Sequence, residues 1–238
     1  MKMKNPLVLN ITNYVAMNFS ANALLAVGAL PLMSSEPLEM RELTAMCDSL
    51  VVNIGCLEQR QAEAMLEAAG EALRLGKPWV LDPAGAGASR FRSETLRKLL
   101  ALRPSVIRGN ASEILALAGE KSSGKGVDSA DDSAEALEAG KRLALGTGAA
   151  VSISGPTDYI TDGREVIRVT GGSPLAPRVT ATGCVASAIT GAFIAGSENV
   201  LQAAADAMIL MKRAAEKAAQ GCGGPGTFAA RLIDALAQ

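Results

Sequence analysis

Ser49 to Pro83 reads SLVVNIGCLEQRQAEAMLEAAGEALRLGKPWVLDP, and its changes of period decide the fold. Ser49 to Ile54 is an apolar run closed by Gly55, the pattern of a strand buried on both faces. Glu58 to Leu75 then carries Ala62, Met65, Leu66, Ala69 and Leu73 at helical spacing, and Gly76 with Pro78 stops it. Trp79-Val80-Leu81 is a second short run, ending at Asp82-Pro83. The same alternation continues down the chain. Ser93 to Leu102 predicts a helix, Val106-Ile107 a strand ending in Arg108-Gly109-Asn110, and Ala111 to Ala118 a helix. Ser133 to Leu145 predicts another helix and Ala149 to Ile153 another strand. Strand and helix in turn predict an α/β protein, a parallel sheet with helices on both faces.

Tyr159-Ile160-Thr161 and Val166 to Val169 flank Asp162-Gly163, which predicts an antiparallel hairpin appended to that sheet. Gly183 to Ala195, Val200 to Ala219 and Phe228 to Leu236 follow as three helical patterns with no strand between them. Gly119 to Ser129 reads as a solvated connection, and Gly221 to Gly226 as a structural turn rather than a phosphate contact. No repeat or composition shift divides the chain, so one domain spans residues 1–238.

Composition narrows the chemistry. The 238 residues are 49% hydrophobic and 20% charged, with 23 Lys and Arg against 24 Asp and Glu, a soluble and nearly neutral balance. That balance leaves no electrostatic footprint for nucleic acid or an anionic membrane. Aromatics at 3% supply no base-stacking platform. The histidine count is 0, which excludes Ser-His-Asp and Cys-His catalysis, HExxH zinc sites and imidazole relays. Cysteines 47, 56, 184 and 222 show no CxxC spacing and read as reduced thiols. Leu7 to Leu9 is too short for a signal peptide core, and Ser187, Thr190 and Gly191 interrupt the apolar stretch from Cys184 to Ala195, so that stretch predicts a core helix. The expectation is a cytoplasmic protein.

Ligands of open parallel sheets bind at the carboxyl ends of the strands. The polar residues there are Asn53 with Gly55, Asp82 with Gly85 and Gly87, Arg108 with Asn110 and Glu113, and Ser154 with Gly155. Asp82 and Glu113 can hold Mg²⁺ directly or through water, and Arg108 can neutralise phosphate charge. Taken singly, Asp82 reads better as a helix N-cap or turn former before Pro83, and Glu113 as a first-turn carboxylate favoured by the helix dipole; their shared position at the strand ends shifts the reading toward function without settling it. Thr180-Ala181-Thr182-Gly183-Cys184 leads into an apolar helix with small residues that let backbone N–H groups approach an anion. A cysteine in that first turn sits in a field that favours its thiolate, as base or nucleophile; it is equally a small buried residue at a tight helix start. Both readings stay open on the residues alone.

Taken in order, several segments resemble the hydroxyethylthiazole kinase family of the ribokinase-like superfamily. They are Ile11-Thr12-Asn13, Asn18 to Asn22, Leu24 to Ala29, Asn53-Ile54-Gly55 and Leu81 to Gly87. Ile107 to Ile114, Lys125 to Asp128, Asp158 to Gly163, Thr182-Gly183-Cys184 and Gly224 to Phe228 complete the set. The resemblance runs from about Pro6 to Leu236 and implies a three-layer αβα fold. It implies ATP-dependent, Mg²⁺-dependent phosphorylation of the hydroxyl of 4-methyl-5-(2-hydroxyethyl)thiazole by a homotrimer with pockets between subunits. By matching position, Cys184 takes the catalytic-base role, while Arg108, Ser154, Asn110 and Gly183 belong to the ATP site. Asp82 and Glu113 belong to Mg²⁺ and phosphate; Met33, Ala181 and Asn13 belong to the substrate. Ala181 stands where the family usually has glycine, and Leu9 where it often has histidine. Other readings are a kinase of a pyrimidine alcohol, a cysteine-nucleophile transferase (unsupported by any histidine partner) and a non-catalytic nucleotide-binding module.

Overall fold

A computed structural model describes residues 5–120 and 130–237. Residues 121–129 of the expected Gly119 to Ser129 connection, and with them Lys125 to Asp128, lie outside that description. The described strands are β1 (Leu7–Ile11), β2 (Leu30–Leu32), β3 (Ser49–Asn53), β4 (Trp79–Asp82), β5 (Val106–Asn110), β6 (Ala150–Ser154), β7 (Asp158–Thr161) and β8 (Val166–Val169). They form one sheet in the order β2-β1-β3-β4-β5-β6-β7-β8. Strands β1 to β6 run parallel, and β7 and β8 add antiparallel at one edge, as the hairpin signal predicts.

Nine helices are described: α1 (Met17–Ala26), α2 (Met40–Met46), α3 (Gln59–Leu75), α4 (Arg90–Leu100), α5 (Ala111–Leu117), α6 (Ala130–Thr147), α7 (Thr182–Ile194), α8 (Val200–Ala219) and α9 (Pro225–Leu236). Helix α4 starts three residues before its expected beginning at Ser93, because the Ser89 hydroxyl caps it by accepting the Arg92 N–H. The elements from β1 to α2 escape a periodicity reading. Asn10 breaks the apolar run of β1, α1 has no side-chain cap, and β2 is a three-residue edge strand holding Pro31.

The strands alternate cleanly between two cores. Val8, Val51, Val80 and Val106 pack toward α1, α7, α8 and α9; Leu9, Leu50, Leu81 and Ile107 pack toward α2 to α6. The same period sends Asn53, Asp82, Arg108 and Ser152 to the α7 side. Register aligns them: Asn53 pairs with Asp82 and Arg108 with Ser152, all four buried. A polar row therefore crosses four strands beneath the start of α7. Helix α7 lies very close to the sheet. A Cβ on Gly191 would stand 2.3 Å from Val51 Cγ2, and the Gly191 carbonyl accepts the Ser49 hydroxyl at 2.7 Å. Among the described residues, no helix is long and apolar enough to cross a membrane.

Candidate active site

Chain order reverses on the two sides of β1, and ligands of open sheets gather at such a switch point. Asn13 follows β1, Asn53 ends β3, Asp82 ends β4, and Arg108 lies inside β5 rather than just beyond it. That placement buries the Arg108 side chain to 8% exposure in the sheet face. Above them α7 begins. By helix geometry its first N–H groups, at Thr182, Gly183 and Cys184, have no carbonyl one turn back. The first backbone bond of the turn is Val185 N–H to Ala181 O, at 2.9 Å.

Floor and roof meet around one sulfur. Cys184 Sγ accepts N–H donors from Asn53 Nδ2 at 3.2 Å and Asn13 Nδ2 at 3.5 Å. One turn on, the Ser187 hydroxyl donates to Asp82 Oδ2 at 2.7 Å. Arg108 Nη1 lies 2.9 Å from where a Cβ on Gly183 would stand, so glycine lets the helix start settle on the guanidinium without displacing it. Arg108 Nε is buried without a partner among the described residues. Arg108 also takes part in none of the ion pairs among those residues. Asp82 and Glu113 lie near enough to feel its charge, yet neither closes a direct ion pair with it, which leaves the guanidinium able to take an anion.

Glu113 is fixed by a capping box. Asn110 Oδ1 accepts the Glu113 N–H at 2.9 Å, Glu113 Oε2 accepts the Asn110 N–H at 2.9 Å, and Glu113 Oε1 accepts the Gly85 N–H at 3.1 Å. Burial pushes the Asp82 carboxyl up, against Arg108, Ser187 and Asn53. Burial and then Asp82 push Glu113 up, against its two backbone donors. Burial and then Asp82 push the Cys184 thiol up to about 11, against Asn13, Arg108 and Asn53. The thiolate-favouring field expected at this helix start is therefore outweighed, and the sulfur rests as a thiol at neutral pH.

The structure thus brings Asn13, Asp82, Arg108, Asn110, Glu113, Gly183 and Cys184 together. Ser154 pairs in register with Asn110 at the rim, its hydroxyl 3.4 Å from the Gly109 carbonyl. Met33 follows the edge strand β2, two positions out from β3, and stays apart from the carboxylates. Three supporting residues carry no motif and escaped the sequence reading. Ser187 is legible only as the helical neighbour of Gly183. Arg92 ties the Ile54 carbonyl to the Ala84 carbonyl (2.8 Å to the latter), steadying the loop after β4. Lys212 pairs with Asp158 at 3.0 Å and holds the Gly155 carbonyl at 2.7 Å, fixing the turn after Ser154.

Ala181 caps α7 in the left-handed region, with φ 69°. An L-residue with a Cβ is strained there, which is the physical reason for glycine at that place. Ala181→Gly is expected to stabilise the protein by about 1 kcal/mol, read as a rise in Tm by calorimetry. An unchanged or lower Tm would show that the strain is absorbed elsewhere.

The architecture is ribokinase-like. Bacillus subtilis pyridoxal kinase in its ADP complex matches with TM-score 0.66, covering 90% of this chain and 93% of that one, at 18% identity, a likeness of fold. The structure of the hydroxyethylthiazole kinase protein from Pyrococcus horikoshii is 40% identical with TM-score 0.91, covering 98% of this chain and 88% of that chain. Hydroxyethylthiazole kinase of Brachyspira hyodysenteriae is 52% identical over 237 residues, 99% of this chain and 89% of that protein. The model of the hydroxyethylthiazole kinase family matches residues 1–238. The chain belongs to the hydroxyethylthiazole kinase family.

Proposed function

We infer that the chain is an ATP-dependent kinase phosphorylating the hydroxyl of 4-methyl-5-(2-hydroxyethyl)thiazole, the reaction of thiamine salvage. Family membership supports the reaction class. The observation that carries the site assignment is the buried, unpaired Arg108 beneath the Gly183 turn, because a guanidinium and an open helix start together suit a phosphate tail.

Phosphoryl transfer asks a protein for positioning and charge neutralisation. Arg108 and the N–H groups of Gly183 and Cys184 would bind the phosphates, with Ser154 and Asn110 at the rim. Asp82 and Glu113 suit Mg²⁺: both are hard oxygen donors, and each is pushed up by burial, so a nearby cation relieves both. When bound, Mg²⁺ would neutralise the charge developing on the phosphates. Asn13 and Ala181 would contact the thiazole alcohol, with Met33 farther toward the edge. As the alcohol oxygen bonds to the γ-phosphorus, the bond to ADP breaks, and the hydroxyl proton passes to Cys184 in the molecules whose thiol has first lost its own proton to solvent. Neutralising Asp82 removes one of the two influences that hold the thiol high.

Leu25 on α1 and Leu30 on the edge strand β2, two elements that pack together, are exposed, and their apolar surface supports the trimer implied by the family resemblance. Four unpaired cysteines accord with a cytoplasmic enzyme.

ADP release dependent on both thiazole alcohol and Mg²⁺ tests the reaction, and equal turnover on a pyrimidine alcohol would overturn the substrate assignment. Arg108→Ala is expected to raise the apparent KM for ATP by about tenfold or more, the loss of one charge-assisted contact. An unchanged KM would remove Arg108 from the nucleotide site.

A further inference from the structure

We propose that Asn53 is a positioning residue that, with Asn13, clamps the Cys184 sulfur so that it faces the acceptor hydroxyl. The proposal rests on the base reading of Cys184 given above. Each amide is locked end for end. Asn53 Oδ1 accepts the Gly55 N–H at 2.9 Å and the Asn13 Nδ2 donor at 2.9 Å; Asn13 Oδ1 accepts the Ala16 N–H at 3.0 Å. With both oxygens taken by donors, neither amide can flip, and only N–H groups are presented to the sulfur.

Gly55 makes the arrangement possible. A Cβ there would stand 2.6 Å from Asn13 Nδ2 and 3.0 Å from Asn53 Oδ1, inside the contact distance of either. The segment Asn53-Ile54-Gly55 therefore acts as one device: an amide at the end of β3, and a gap that admits a second amide from the end of β1. The charged groups facing the sulfur are Asp82 from β4, which disfavours the thiolate, and Arg108 from β5, which favours it. Against Asp82 the two amides are the donors that hold negative charge on sulfur, and two directed bonds fix where its remaining lone pair points.

The test uses the full-length enzyme carrying Cys56→Ser and Cys222→Ser, so that alkylation by iodoacetamide reports Cys184, with the site read by peptide mass spectrometry. Asn53→Asp replaces donors by an acceptor. It is expected to lower kcat by about 10²-fold with KM for ATP within about twofold, and to slow Cys184 alkylation at fixed pH by about tenfold. Asn53→Ser keeps one small donor and is expected to lower kcat by about tenfold, which covers the case in which the aspartate variant does not fold. Gly55→Ala, acting through Asn13, is expected to show the same kcat loss without a KM change. Unchanged kcat and alkylation in a folded Asn53 variant overturns the clamp, as does a rise in KM for ATP without a fall in kcat. Cys184→Ala at full kcat would instead overturn the base reading, and the alkylation rates would still report whether the amides govern the sulfur.

Discussion

Cys184→Ala is expected to lower kcat by about 10²–10⁴-fold while leaving the KM for ATP close to that of the parent enzyme. The sulfur touches two amides and no phosphate-binding group, so its loss removes proton acceptance without dismantling the anion site. A pH profile separates this from loss of packing. With the thiol pushed up to about 11, the reactive form grows as pH rises through the neutral and alkaline range, so parent turnover should climb with pH. Turnover of the alanine variant should lose that climb. In a loose transition state the alcohol is little deprotonated, so the residual rate should remain measurable. A variant with full kcat and the parental pH profile would end the base role and leave the kinase assignment intact.

The second large effect concerns Asp82. Asp82→Asn is expected to cut turnover by about 10²–10³-fold and, in the absence of divalent cation, to raise Tm at alkaline pH. The sign follows from proton binding. Burial raises the folded-state carboxyl above its unfolded value, so between those two values the folded chain holds more protons than the unfolded one. Stability is then fully present below the unfolded value near 3.8 and falls as pH rises through the folded one. Glu113, raised by burial and then by Asp82, changes in the same direction. Asparagine carries no such ionisation, so the variant's advantage in Tm should shrink as the pH is lowered. Calorimetry of both proteins in chelator across that range is the measurement. A Tm difference independent of pH would mean that the Asp82 carboxyl titrates alike in the folded and unfolded chain, and that burial does not raise it.

Much of this architecture was readable before any coordinates. The run from Ser49 to Leu81 encodes a strand, a helix and a strand through two periods that do not overlap, and Asp162-Gly163 encodes the hairpin at the far edge. Strand ends also announced Asp82, Arg108 and Asn110, because polar residues closing apolar runs in a parallel sheet collect at one side. The segment from β1 to α2, residues 7–46, was harder. Strand β1 is interrupted by Asn10, and α1 is capped by no side chain, so neither carries the local signals that periodicity reads. Within the site, pairing between distant segments was the hidden part. Asn53 was visible as a strand end, but its bond to a sulfur 131 positions away depends on where α7 comes to rest. The balance at Cys184 was hidden for the same reason, because the Asp82 charge that opposes the thiolate arrives from another strand.

The contact between Gly191 and Val51 has a consequence for access. With no side chain between them, the rod that carries the sulfur is seated directly on the planks below, and a carbonyl-to-hydroxyl tie holds its far end down. Such a ceiling has no vertical travel. Reactants must come and go from the sides, past the turns that follow β1, β4 and β6, and any breathing that admits them belongs to those turns.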